Sequence, residues 1–220
     1  MRQASRLVAL LFGVSIGVLI LLLGPLLLFN PPFVSTLQAR HDVAARFGTT
    51  HEEVDRVTGD VLGDLFTAGD FAVSLDGEPL LDDSERSHMG DVSRLVRILA
   101  VAAVVAAIVA TLCGILLRGQ PRLMATTLVV TAATIGGAAL ALAIVFAVAF
   151  EPAFLAFHAI FFPPGTYLFE PGSNLITLFP EGFWFEASLV AGLTVVLSAL
   201  AVLVIGLSGR RRPPAPLATG

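Results

Sequence analysis

Long charge-free apolar runs alternate along this chain with polar connections. Four runs reach the roughly twenty residues that a helix needs to cross a hydrocarbon core about 30 Å thick. They cover residues 7–29, 98–117, 123–150 and about 187–207. Helix is the structure to expect, because a lone apolar segment in lipid must satisfy its own backbone hydrogen bonds. The polar alternation of a membrane barrel is absent from the sequence. The first run follows Arg2 and Arg6, as a signal peptide would, but it exceeds an h-region of about 7–15 residues and no small-x-small site follows it. Asn30-Pro31-Pro32-Phe33 comes next, which stops a helix, so the run reads as a retained span.

The connections divide the chain. Residues 1–29 form the N-terminus and span 1, residues 30–97 a mostly polar segment, and residues 98–150 spans 2 and 3. Residues 151–186 form an aromatic segment, and residues 187–220 span 4 and a tail. In the polar segment, Thr50 and Glu53 have capping-box spacing. Val54, Val57, Val61 and Leu65 then recur at helical spacing, which predicts an amphipathic helix over 51–66 lying on the membrane or on a cap. Residues 71–75 have strand character and Asp76-Gly77 is a turn signal. In the aromatic segment, Glu151-Pro152 breaks the third span and residues 153–162 can form a short helix. Residues 167–169, a Pro171-Gly172 turn and residues 175–179 read as a small hairpin. The expected fold is an all-α membrane protein of four transmembrane helices with a small α/β cap.

Composition sharpens this picture. Mean hydropathy is +0.88 and only 14% of residues are charged, against about a quarter in soluble domains. All thirteen basic residues are arginines, and no basic stripe with interleaved aromatics exists, which argues against nucleic acid as a partner. The N-terminus, the 118–122 loop and the tail hold seven arginines and no carboxylate, whereas residues 30–97 and 151–186 hold all seventeen carboxylates and six arginines. The arginine-rich side is cytoplasmic by the positive-inside rule, so both termini are expected inside and both acidic segments outside. The tail from Arg212 reads as disordered. The single cysteine, Cys113, lies in an apolar run and reads as a small buried hydrophobe.

All four histidines fall in the outward segments. His41 and His51 have ordinary polar surroundings and read as solvated surface groups. His88 lies in Glu85-Arg86-Ser87-His88-Met89-Gly90-Asp91-Val92; on a helix, Glu85, His88 and Asp91 share a face, where a carboxylate can orient an imidazole for general-base work. A helix-start charge cluster is the plain structural alternative. His158 lies among Phe157, Phe161 and Phe162. An ionisable group there is expensive, and burial would keep it neutral, as a base requires. The alternative is an interfacial histidine bonded to a carbonyl. Gly13-Val14-Ser15-Ile16-Gly17 matches a nucleophile elbow only by chance, since it lies within a span. A zinc site on His88 and His158, with Glu85 or Asp91, is the metal alternative, though such sites more commonly show denser ligand clustering.

At the two histidine motifs the chain resembles the lipoprotein intramolecular transacylase family. The resemblance rests on Glu85-x-x-His88-Met89-x-Asp91-Val92, on Phe157-His158-x-x-Phe161-Phe162, and on Leu175-Ile176-x-Leu178-Phe179-Pro180-Glu181. It implies an enzyme of the bacterial cytoplasmic membrane, working on the extracytoplasmic side without a cofactor or metal. Its substrate would be a diacylated lipoprotein within the membrane lipids. The sn-2 acyl chain of the diacylglyceryl-cysteine would move to the cysteine's own α-amino group. His88 and His158 would be catalytic and Glu85 and Asp91 supporting. Phe157, Phe161, Phe162 and Tyr167 would contact substrate, with Phe154 beside them; lipid contact is the alternative for each phenylalanine ring. The competing readings are a non-enzymatic envelope-assembly or regulatory protein and a metal-dependent hydrolase.

The arginine bias makes a direct prediction. A reporter active only in the cytoplasm should work when fused after Arg211 and be silent when inserted after Gly77. The opposite pattern would reverse the topology.

Overall fold

The computed structural model describes residues 2–211; the tail from Arg212, read above as disordered, lies outside them. The described chain is helical apart from one short hairpin and its loops. Its order is α1 (Arg2–Leu23), a 3-10 turn (Pro25–Phe29), α2 (Pro31–Arg40), α3 (Val43–Phe47), α4 (His51–Thr67), β1 (Ser74–Leu75), β2 (Glu78–Pro79), α5 (Asp83–Leu117), α6 (Pro121–Val148), α7 (Phe150–Phe161), α8 (Asn174–Leu178) and α9 (Glu181–Arg210). Among the described residues, α1, α5, α6 and α9 are long and apolar enough to cross a membrane.

The first apolar run is not one helix. It stops at Leu23, because Pro25 brings no N–H and its ring opposes the carbonyl four residues back; the remainder winds as the 3-10 turn. By contrast, α5 starts well ahead of its charge-free run, so one unbroken helix carries both His88 and the second span. The break after α6 falls at Ala149, and Pro152 sits in the first turn of α7, where a missing N–H costs nothing.

Residues 2–23, 102–140 and 194–211 of the described chain form one compact unit. Its interior holds Ala9, Phe12, Ala110, Cys113 and Leu117 in one cluster and Ile20, Ala139, Val195 and Ala199 in another. Buried Cys113 therefore behaves as the small hydrophobe expected. Gly13 abuts Thr127 and Thr131: a Cβ there would lie 2.8 Å from Thr131 Oγ1 and 2.9 Å from Thr127 Cγ2. The Gly-x-Ser-x-Gly match is thus a helix-packing face.

Residues 24–101 and 141–193 form the second unit. In its core, Val54, Val57, Val61 and Leu65 of α4 pack with Val43, Phe71, Leu80, Met89, Leu175 and Leu178. The apolar face of α4 is therefore spent on protein. Thr50 caps that helix by accepting from the Glu53 amide at 3.2 Å. The Glu53 carboxylate pairs with Arg56 instead of closing the box. The β1–β2 hairpin turns through Asp76 (φ 50°) and Gly77 (φ 88°), the two left-handed positions of a type I′ turn. These are the unit's only strands, two residues each, so the α/β cap expected from the sequence is a helical unit with one small hairpin. The predicted strand is cut short because Phe71 (φ 53°) turns inward and donates its amide to Asp64 Oδ2 at 3.0 Å. The hairpin expected over 167–179 is absent: Gly172 (φ 93°) turns the chain, Ser173 Oγ accepts from the Ile176 amide at 3.4 Å, and α8 follows.

Phe71 is 1% exposed. Phe71→Ala should cost about 3–5 kcal/mol of stability, read as a lowered Tm of the purified protein in detergent.

Candidate active site

The second unit brings His88 and His158 together. Their rings lie 6.0 Å apart between centroids and are stacked at 27°. His88 stands on the second turn of α5 and is 6% exposed. Phe162 and Phe169 meet its ring edge-on at 4.9 and 5.6 Å. His158 stands near the end of α7, with Phe154 at 4.2 Å, Tyr167 at 5.3 Å, Phe162 at 5.4 Å and Phe157 at 5.5 Å. The two imidazoles thus share a wall of aromatic rings.

Their polar contacts differ. His158 Nδ1 lies 2.8 Å from the Phe154 carbonyl oxygen, one turn back on the same helix. A carbonyl can only accept, so Nδ1 carries the proton and Nε2 presents a bare lone pair. His88 Nδ1 is buried with no hydrogen-bond partner. Burial is also the leading influence on both rings. It pushes the His88 pKa from the ordinary 6.5 down to about 4, helped by the charge His158 can acquire and opposed by Asp91. It lowers His158 as well, against the supporting Phe154 carbonyl. Both groups stand in the second unit, ahead of or apart from the charge-free runs, and burial favours the neutral form of each.

The carboxylates stand differently from the sequence expectation. Glu85 shares the face of His88 but is 1% exposed and turns its oxygens to main-chain amides, Oε2 accepting from Asp82 at 2.9 Å and Oε1 from Leu175 at 2.8 Å. The Glu85 amide in turn donates to Asp82 Oδ1 at 2.9 Å, which completes a capping box at the start of α5. Asp91 reaches Arg94 at 3.5 Å and acts on His88 only through its charge. Phe162 is buried against both histidines and Tyr167 and Phe157 flank His158, whereas Phe161 is 48% exposed and touches Phe157. Phe169, against His88, is an additional member of the site; Asn174 stands farther along the same segment, where its Nδ2 donates to the Leu80 carbonyl at 2.6 Å. Phe169 carried no signal in the sequence as a partner of His88, since its place depends on the course of the loop. His41, expected to be solvated, packs on Gly182 with Nε2 3.2 Å from Glu186. His51 is exposed at the start of α4, as expected. Among the described residues no group of three or more His, Cys, Asp or Glu side chains is placed to hold a metal ion.

A helical, multi-pass membrane protein with a paired, desolvated histidine centre is thereby defined. The family model for the lipoprotein intramolecular transacylase Lit matches residues 8–184, and the chain belongs to that family. The fold agrees with the solved structure of the membrane-integral lipoprotein intramolecular transacylase Lit from Bacillus cereus. The TM-score is 0.80 at 18% identity, over 95% of this chain and 97% of that one. Structures of two variants of the Bacillus cereus protein, with one histidine replaced by arginine or by alanine, align at TM-score 0.77 and 19% identity. They cover 94% of this chain and 92% and 93% of theirs. A sequence comparison with curated proteins found no match.

The lowered His88 pKa predicts two pH effects. In a protein labelled at its histidine rings, the His88 NMR resonances should not titrate between about pH 5.5 and 8. Between about pH 4 and 6.5 the unfolded chain binds a proton that folded His88 refuses, so the site's contribution to stability declines as pH falls through that interval. An ordinary titration centred near 6.5 would contradict the burial argument.

Proposed function

We propose that this chain relocates an acyl chain within a diacylated lipoprotein, from the glyceryl sn-2 ester on the N-terminal cysteine to that cysteine's α-amino group. The stacked histidine pair carries the reading, because the chemistry needs two neutral imidazoles beside one reacting carbon. Ester and amine belong to one substrate, so proximity replaces any serine or cysteine nucleophile of the protein. The α-amino group titrates near pH 8, so its ammonium form gives one proton to solvent before the neutral amine attacks.

The bare Nε2 of His158 fits the base. As the amine nitrogen bonds to the ester carbon, His158 takes a proton from it. The oxyanion forms beside His88, whose low pKa makes it a neutral N–H donor and a poor proton source. Stabilisation by a neutral imidazole N–H is the role that remains for it. The carbon–oxygen bond of the ester then breaks, and the imidazolium of His158 returns its proton to the glyceryl oxygen. One amide and one hydroxyl result, with no water consumed. Exposed rings such as Phe157, Phe161 and the Ile160 side chain offer apolar surface to acyl chains at this centre. The centre would face the extracytoplasmic side, with Asp91 tempering the charge that develops during turnover.

The test is mass spectrometry of the N-terminal peptide of a diacylated reporter lipoprotein, expressed with and without this protein. The expected product has unchanged mass with one acyl chain moved from ester to amide. His158→Ala should abolish it, and His88→Ala should lower it by at least about a hundredfold, the scale of a lost oxyanion donor. Ordinary turnover by both variants would reject the mechanism. Failure of the unaltered protein to relocate the chain would favour the non-enzymatic assembly reading.

A further inference from the structure

Segment 163–173 supplies aromatic neighbours to both histidines, Tyr167 to His158 and Phe169 to His88. It carries no helix or strand that would hold those rings in place. At its beginning the chain leaves α7, and at its end it enters the five-residue α8. Two hydrogen bonds tie that end to residues 80–85, and they cross. The Asn174 side chain donates to the main chain at Leu80, and the Leu175 main chain donates to the Glu85 side chain. Glu85 bonds at the same time to the Asp82 amide, within the turn that starts α5. His88 follows one turn later on that helix. A single buried carboxylate therefore ties the start of the His88 helix to the end of the segment that covers its ring.

We infer that Glu85, with Asn174, is a positioning residue: it latches segment 163–175 to the start of α5 so that Phe169 and Tyr167 stay packed on the histidine pair. Capping alone would need only the Asp82 bond. The second oxygen, spent on an amide ninety residues away in sequence, joins the two parts of the site. A carboxylate suits the task because both of its oxygens accept; an amide side chain accepts through only one. The latch is a property of the fold, while its effect on turnover rests on the transacylase reading.

The test uses the full chain in detergent or lipid and diethylpyrocarbonate, which acylates accessible neutral imidazoles. Mass spectrometry reads each histidine separately. In the unaltered protein His88 should react slowly beside exposed His51. In Glu85→Gln and, separately, Asn174→Ala, opening of the cover should speed His88 modification at least about fivefold with His51 unchanged. The pH dependence adds a readout that general loosening elsewhere would not move. His158 and Asp91 are the titratable groups facing His88, and both remain in these variants. Once hydrated, His88 should acquire a midpoint near the ordinary 6.5 in place of a flat profile between about pH 5.5 and 8. Lipoprotein turnover should lose about ten- to a hundredfold in kcat with KM little changed, and Glu85→Ala should lose more than Glu85→Gln. Should the Glu85 variants fail to fold, Asn174→Ala still carries the test. Unchanged His88 reactivity in the folded variants would overturn the latch. Faster His88 labelling alongside an unaltered protein that never relocates an acyl chain would uphold the latch and reject the function.

Discussion

Desolvation of two imidazoles is the constraint on which the site depends. Taking an ionisable ring out of water penalises its charged form, so an aromatic enclosure selects the neutral form of both histidines. Neutrality leaves each ring one N–H and one lone pair, and the neighbouring groups decide where each points. For His158 the Phe154 carbonyl decides it at once. For His88 the buried Nδ1 has no partner, and the ring is held by Phe162 and Phe169. Without that enclosure the pair would be two ordinary histidines that exchange protons with solvent near pH 6.5.

The surrounding carboxylates gain a different meaning from this balance. A carboxylate bonded directly to His88 would raise its pKa and undo the effect of burial. Glu85 instead spends its oxygens on main-chain amides, and Asp91 stands off beside Arg94. The acidic residues in the motif thus contribute structure and distant field, while aromatic rings make the direct contacts.

The parts of the molecule set by local rules were legible in the sequence. The four spans follow from length and charge, α4 from its cap and valine spacing, and the Asp76-Gly77 turn from its residue types. His158 stood out as an ionisable group amid phenylalanines, and His88 by its helical spacing from Glu85 and Asp91. What escaped detection depends on contacts between distant segments. Glu85 lies at helical spacing from His88, which fits an imidazole partner, yet spacing cannot show that the Leu175 amide competes for the carboxylate. Residues 167–179 have strand-like composition, but a Ser173 cap and buried Leu175 and Leu178 draw them into α8. The break at Pro25 was readable from proline chemistry and was obscured by the hydropathy of the leucines around it.

The bond from His158 to the Phe154 carbonyl spans a single turn of one helix, so the aim of that ring is encoded in five consecutive residues. The aim of His88 is encoded in a loop and a carboxylate that must find each other across ninety positions of chain. The two halves of the centre therefore differ in their tolerance of sequence drift. Copies of this fold that lose selection on the centre would scramble the surroundings of His88 first, long before the short helix around His158 ceased to look intact.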